Sequence, residues 1–427
     1  VASPQDHIPK GKWWEVFDDE TLNWMQELGL AHNHNLKSAM ASVEEARAIA
    51  RINRGEFFPA VGSDPEFRRT RTTANSFTST SASASSFISE NYTVPFDLTY
   101  EIDLWGRLRR KFESGHAKAE ATLAEYYAIM LTLNADIAQN YFLLRELDKE
   151  IAIIDETIVL REYAVKVVTE RVKGGITSEL NLNLAKSVLA EAQADRVDII
   201  RRRKELENAL AVLCGQLPSE FEVESQAMDI ITPVIPMGVP SQLLERRPDI
   251  AEAERLVEKA NADIGVAQAA FFPTLTLFAE GGVKSVGTDN LFNWESRFWS
   301  LGPSFSVPIF SGGRATANLE AKQAAYDKTV EDYRQTVLSA IEEVETSLSN
   351  LKSRQRQDFT HFEALQAYRE TAEMSIARYE EGLVTFLEVI DAERSRLDAE
   401  LESTRITTQE LIAAVQLIKA LGGSWED

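Results

Sequence analysis

Cysteine is almost missing from this chain. Cys214 is the only one in 427 residues, which excludes a disulfide framework and a cysteine-based metal site. It reads instead as a small buried residue near a helix end. A basic surplus is missing too: 45 Lys and Arg stand against 67 Asp and Glu, a formal charge of −22. That disfavours nucleic acid, which wants a basic face. The same balance suits solubility and would give an internal channel a negative field that favours cations. No run approaches the roughly 18 apolar residues of a membrane helix. A β-barrel stays open to such a chain, because short alternating strands are averaged out of hydropathy windows. No signal peptide is present, and Val1 reads as a processed or trimmed start. Proline is absent from two long stretches, Arg107–Lys173 and Arg314–Glu381.

Those two stretches are copies of one another. Gly106-Arg107 falls under Gly313-Arg314 at an offset of 207, and the same offset pairs Arg171 with Arg378, Gly175 with Gly382, Leu180 with Leu387, Ala185 with Ala392, Leu210 with Leu417 and Gly215 with Gly422. Phe57-Phe58-Pro59 matches Phe271-Phe272-Pro273 at 214, so the first copy is seven residues longer before Gly106. A repeat of this length implies one elongated body rather than two or three unrelated domains.

Periodicity assigns the parts. Residues 1–19 form an irregular N-terminal segment with Pro4, Pro9, Trp13, Trp14 and Phe17. A helical pattern with Leu22, Met25, Leu28, Leu36, Val43 and Ile49 covers 20–56. Residues 57–105 read as a hairpin. Val61, Ser63, Pro65 and Phe67 share one face of a weak strand, a Ser/Thr loop covers 70–90, and Tyr92, Val94, Phe96, Leu98, Tyr100 and Ile102 alternate with polar residues including Asp97, Thr99 and Glu101. Pro95 is awkward there, since it has no N–H to pair. A second hairpin spans 271–312, with Leu275 and Leu277, then Trp299, Leu301, Pro303, Phe305, Val307 and Ile309, on apolar faces opposite Glu280 and Ser304. Long helical hairpins cover 106–214 and 313–421. Each contains a helix of roughly 100 Å at about 1.5 Å per residue, with Leu144, Leu147, Ile151, Ile154 and Val168 on the coiled-coil seam of the first. Shorter helices return at about Ser178–Leu213 and Thr385–Leu421. A further helix at 241–270, with the one at 20–56, completes the span beside each long helix. Residues 215–240 and 422–427 are irregular and, with the N-terminus, should form a belt around the middle. Four strands cannot close a barrel, for which about eight is the practical minimum. Three copies give twelve, an even number that leaves no open edge.

The chain resembles the outer-membrane factor family, the TolC-like exit ducts, and is nearest their efflux branch. The carrying motifs are Trp13-Trp14-Glu15-Val16-Phe17-Asp18-Asp19 with Leu22, Asp103-Leu104-Trp105-Gly106-Arg107, and Pro240-Ser241-Gln242-Leu243-Leu244-Glu245-Arg246-Arg247-Pro248-Asp249-Ile250. The third runs on through Ala253-Glu254 and Ile264-Gly265 to Phe272-Pro273, and Pro308-Ile309-Phe310-Ser311-Gly312-Gly313-Arg314 completes the set. The resemblance implies an α+β membrane protein: a trimeric 12-stranded β-barrel, four strands per protomer, on a long periplasmic α-helical barrel with a mixed equatorial belt. It implies the outer membrane of a Gram-negative bacterium. It further implies a homotrimer in outer-membrane lipid, working with a periplasmic adaptor (membrane fusion) protein and an inner-membrane RND-type pump. The expected function is passive conduction of drugs or other small toxic compounds. The alternatives are an exit duct of a type I secretion system and a non-channel coiled-coil scaffold, which leaves the apolar strand faces unexplained. Many members of this branch carry a lipidated N-terminal cysteine, an anchor that would lie upstream of residue 1.

The resemblance also places sites. The turns at 171–180 and 378–387, with Arg171, Gly174, Gly175, Arg378, Gly382 and Leu383, are the expected adaptor-docking tip. An open duct of roughly 100 Å would leak, so the tip must close at rest. The second return helix offers Tyr379, Leu387, Glu388, Asp391 and Arg394 as the gate. Leu387, Asp391 and Arg394 share one face by steps of four and three, and three Asp391 carboxylates would repel unless held by Arg394, Tyr379 or a cation. The first copy has Leu180, Leu184 and Ser187 there. No nucleophile–base pair or carboxylate dyad marks an enzyme, no cofactor motif appears, and Gly281-Gly282 with Gly287 lacks the strand–turn–helix context of a phosphate loop. His32-Asn33-His34 has no supporting ligand spacing for a metal. Arg201-Arg202-Arg203-Lys204 reads as a solvated or ion-pairing helix face rather than a nucleic-acid patch.

Overall fold

The computed structural model describes residues 11–74, 86–226, 230, 232–233 and 246–423. Pro4, Pro9, Pro236, the tip of the Ser/Thr loop and the Pro240–Glu245 part of the third motif lie outside the described residues. In chain order there is a 3-10 helix Trp13–Phe17, then α1 Glu20–His32, α2 His34–Gly55, β1 Ala60–Gly62, β2 Glu66–Thr72, β3 Phe87–Ile102, α3 Arg107–Lys173 and α4 Glu179–Leu213. These are followed by α5 Pro248–Ala269, β4 Thr274–Ser285, β5 Arg297–Ser306, α6 Arg314–Glu380 and α7 Phe386–Ala420. Helices α3 and α6 have 67 residues each, and α4 and α7 have 35 each. The offset of 207 recurs in the backbone, because Gly106, Gly175 and Gly215 have positive φ and so do Gly313, Gly382 and Gly422.

The chain divides into two compact units. One holds Val1–Ala41, Leu123–Glu252 and Arg334–Asp427. Its core forms where Phe17 meets Phe142 edge-on at 5.0 Å and where Leu22, Met25, Ile137, Leu144, Leu210, Leu411, Val415 and Ile418 are all buried. Full burial of each large apolar side chain contributes roughly 1.5–3 kcal/mol. Asp19 starts α1: one oxygen accepts the Leu22 N–H at 2.8 Å and the other the Tyr141 hydroxyl at 2.6 Å. The single helix expected over 20–56 is broken at Asn33, whose backbone is extended. The Asn33 amide bridges two helix ends, accepting from Leu36 N and donating to the Leu213 carbonyl at the end of α4. Gly215 follows that end, and a Cβ there would sit 2.4 Å from the His32 carbonyl oxygen. Cys214 is buried and donates to the Met25 carbonyl, and desolvation pushes its thiol up to about 12.

The other unit holds Ser42–Thr122 and Ala253–Tyr333 and contains the sheet. β1 and β2 both pair with β3 in one continuous register, so they are one strand interrupted at Ser63–Pro65. The interruption is pinned by Ser63, whose hydroxyl donates to the Pro95 carbonyl at 2.6 Å. The order is then β1/β2–β3–β4–β5, four antiparallel strands. Pro95 lies opposite Gly282, where a Cβ would come within 2.2 Å of the Val94 carbonyl oxygen. Glycine at 282 is thus what lets the two backbones approach this closely opposite Pro95. β5 ends at Ser306, so Val307 and Ile309 lie past the strand that was expected to include them, with Pro308 between them. Asp103 caps α3 by accepting the Leu108 and Arg109 N–H groups, and Arg107 grips Glu101 through two hydrogen bonds of 2.8 and 2.7 Å. Trp105 donates to the Pro273 carbonyl and stacks on Phe272. Ser114 and Lys259 meet on Asp263, joining α3 to α5.

Candidate functional site: the paired helix turns

Both long helices end in the same hydrogen-bonded turn. After α3, Gly175 N–H reaches the Val172 carbonyl and Ile176 N–H the Arg171 carbonyl, each at 2.9 Å. After α6, Gly382 N–H reaches Tyr379 (3.0 Å) and Leu383 N–H reaches Arg378 (2.9 Å). This is the glycine-terminated helix end, in which a left-handed residue lets two orphan carbonyls find donors. Gly175 has φ +69° and Gly382 φ +75°, and a Cβ at either would meet nothing. Conformation, not space, therefore fixes glycine at both. Gly174 bonds back to the Glu170 carbonyl, and Leu383 is exposed.

The second turn is the more elaborate. Glu388 reaches back to Thr385, accepting from its N–H (3.1 Å) and hydroxyl (3.0 Å), which forms a capping box at the start of α7. The Glu388 carboxylate thus has a local structural partner. Leu387, Asp391 and Arg394 lie on one exposed face of α7, as their spacing predicts. Arg394 does not pair with Asp391: it meets Glu191 of α4 at 3.2 Å. Tyr379 is engaged elsewhere too, with its ring against Phe386 at 5.4 Å and under the Arg171 guanidinium at 4.6 Å. Phe386 packs with Val168 and Ala185 of the first hairpin. The residues near the turns thus join the two hairpins by an exposed ion pair, a cation–π contact and a small apolar cluster. Farther along, Glu150 is 1% exposed and holds both Arg202 of α4 (2.6 Å) and Arg405 of α7 (3.0 Å).

The profile of the outer membrane efflux protein family matches residues 26–216 and 239–423. The chain belongs to that family. It is 32% identical to the solvent efflux pump outer membrane protein SrpC of Pseudomonas putida, over 98% of this chain and 88% of that one. Outer membrane protein OprJ of Pseudomonas aeruginosa is 31% identical over 97% and 86%. Among solved structures, the outer membrane protein VceC of Vibrio cholerae superposes with a TM-score of 0.88 at 27% identity, covering 97% of this chain and 99% of that one. The protein is therefore an outer-membrane component of an efflux system, with a fold shared by TolC-like channels.

The long helices start and stop where proline and glycine put them, whereas the helix over 20–56 is broken at Asn33, β2 and β3 run into the expected 70–90 loop and β5 ends at Ser306. Several contacts were not legible at all. The partners Glu191 and Arg394 are 203 positions apart, and no spacing rule joins them. Arg161 belongs to no motif, although Arg161, Ala164, Val168 and Arg171 follow seam spacing on α3. The Arg201–Lys204 run resolves into pairs with Asp198, Glu150, Asp148 and Glu207. Among the described residues no group of three or more His, Cys, Asp or Glu is arranged to hold a metal, and no helix is long and apolar enough to cross a membrane.

Proposed function

We propose that three copies of this chain close their sheets into a twelve-stranded barrel in outer-membrane lipid, continued by the helices as a periplasmic duct. Through it, small apolar or amphipathic toxic compounds would pass outward from an inner-membrane RND-type pump and a periplasmic adaptor. The observation that carries this reading is the register of the sheet. Phe96 faces Gly281, Leu98 faces Ala279, Tyr100 faces Leu277 and Ile102 faces Leu275, which in turn faces Phe305. Direct partners share a face, so this side of the sheet is apolar from Tyr92 to Ile102 and across β4 and β5, with Arg69, Glu90 and Arg297 on it only towards the far end of the strands. The other carries Asp97 opposite Glu280, with Thr99, Glu101, Ser300 and Ser304. Phe67, Phe96, Leu301 and Phe305 are all exposed in the single chain. An apolar surface of that extent needs lipid or a partner, and an unclosed sheet needs its edges paired.

The face with Phe96 is assigned to lipid and the face with Thr99 to the water-filled lumen. Arg at position 96 should cost roughly 2–4 kcal/mol of barrel stability, and at 99, on the lumen side, much less. Heat-modified mobility of the detergent-extracted trimer reads this out, and equal losses in Phe96→Arg and Thr99→Arg would contradict this assignment of the faces. Light scattering should give three chains per particle.

The two turns form the periplasmic tip in this reading. Arg171, Gly174, Gly175, Arg378, Gly382 and Leu383 present the adaptor-docking surface. Leu387 and Asp391 face the pore as the constriction, while Arg394–Glu191 and Arg171–Tyr379 hold the second hairpin against the first at rest. SrpC bears the name of a solvent efflux protein, which supports small apolar cargo for this chain as well. Deleting the protein should sensitise its host to such compounds, and re-expression should restore tolerance.

A further inference from the structure

A cavity of about 320 Å³ lies between the two helical hairpins, beside the turns. Its walls are apolar: Ala164 and Val168 of α3, Ala185 of α4, Tyr379 of α6, and Phe386 and Val389 of α7. Two alanines stand where larger seam residues would fill the space. Arg161 and Arg171 also line it. They share the α3 face with Ala164 and Val168, about 15 Å apart at roughly 1.5 Å per residue.

Neither arginine has a carboxylate bonded to it among the described residues. Arg161 donates to the Val188 carbonyl at 2.6 Å, and Arg171 lies over the Tyr379 ring. The acids nearby are engaged: Glu393 with Arg396, and Glu191 with Arg394. The lining holds Arg161, Arg171 and Arg394 with Glu380 and Glu393; with Arg394 and Glu393 already paired, Glu380 is the one carboxylate left against Arg161 and Arg171. Burial pulls the Arg161 pKa down, although Glu191 and Glu393 nearby push it up. A desolvated, incompletely compensated cation at the edge of an apolar cavity favours an anion more than a surface arginine does.

We propose that this cavity binds a small organic anion, a carboxylate or sulfonate on an apolar ring system, with its rings between the alanines and Val389 and its charge on Arg161. The volume is at the lower end of small-molecule pockets, which run from roughly 300 Å³. The planar guanidinium suits a carboxylate or sulfonate, which offers paired acceptor oxygens. All four helices contribute to the wall, so an occupant touches both hairpins and stabilises the arrangement seen here by linkage. The binding does not depend on the docking or gating roles assigned to the turns.

The test uses the full chain in lipid nanodiscs with 2-naphthalenesulfonate as probe, measured by equilibrium dialysis against empty nanodiscs. Saturable binding of one probe per chain is expected. The neutral 2-naphthol should bind the unaltered protein about tenfold more weakly, the scale of one charge-assisted hydrogen bond. Arg161→Gln should weaken the sulfonate by a similar factor, and Ala164→Phe should remove its binding by filling the cavity. Uptake no greater than in empty nanodiscs overturns the proposal, as does equal affinity for naphthol. So does unchanged sulfonate binding in assembled Arg161→Gln and Ala164→Phe trimers. The naphthol comparison needs no variant and decides the matter where a variant fails to assemble.

Discussion

The two helical hairpins have equal lengths and equal turns, but they are anchored differently. In the first, Asp148 is 1% exposed and takes Arg145 at 2.8 Å, Arg203 at 2.6 Å and the Ser225 hydroxyl at 2.8 Å. Glu207, equally buried, accepts the Val223 N–H at 2.7 Å and pairs with Lys204. This ion cluster ties α3 and α4 to each other and to the segment at 221–226. In the second hairpin the matching positions are Lys352, Gln355, Glu410 and Ala414, with Lys352 and Gln355 exposed. No equivalent cluster can form from them. The repeat therefore preserves length and turn geometry, while the cluster around Asp148 belongs to the first hairpin; the second is joined instead by Arg369–Glu400, by Thr407 with Asp358, and by Arg247, which reaches both Glu343 of α6 and the Ala420 carbonyl of α7.

The sharpest way to break that comparison is to open the clamp. Asp148→Ala leaves Arg145 and Arg203 buried without their carboxylate and should cost about 3–5 kcal/mol. The matched Gln355→Ala should stay within about 0.5 kcal/mol, as for an ordinary surface change. Thermal unfolding followed by helical circular dichroism compares them, and similar losses would mean that the hairpins are anchored alike. Next in size are the turns. Val at position 175 or 382 forces a β-branched residue into left-handed backbone, at roughly 1–2 kcal/mol each. Trimers of Gly175→Val and Gly382→Val should still form while export fails; normal drug tolerance with both changes would remove the tip from the mechanism. A smaller effect concerns Cys214, whose counterpart in the second copy is Leu421. Its folded-state pKa is raised from 9.0 to about 12, so folding disfavours the thiolate. Stability should be unaffected by this group below pH 9 and should fall as pH climbs from there towards 12. Maleimide at pH 8 should label Cys214 only after unfolding, and rapid labelling of folded trimer would contradict the burial.

Local chemistry explains what the sequence made legible. Helix lengths follow from proline-free stretches closed by glycines at a fixed offset. Strand faces follow from alternation, because a sheet allows only two sides. Long-range hydrogen bonding explains what was missed. Asn33 looks like one more polar helix residue until the Leu213 carbonyl, 180 positions away, gives its amide a partner. Asp391 and Arg394 look like a pair because they are three apart on one helix, yet Glu191 wins the arginine. The buried state of Asp148 is invisible too, since a coiled-coil surface carries many such acids with water as their partner. Val307 and Ile309 continue the alternation of β5, but the strand stops at Ser306.

The most direct measurement is resting conductance of single trimers in planar bilayers for two matched double variants. Asp391→Ala with Arg394→Ala removes the tie to Glu191 and the charged face of the second hairpin, and should raise conductance and admit vancomycin in cells. Leu184→Ala with Ser187→Ala, at the same places in the clamped hairpin, should do far less. Equal leakage from both, or from neither, would contradict a gate carried by the second hairpin.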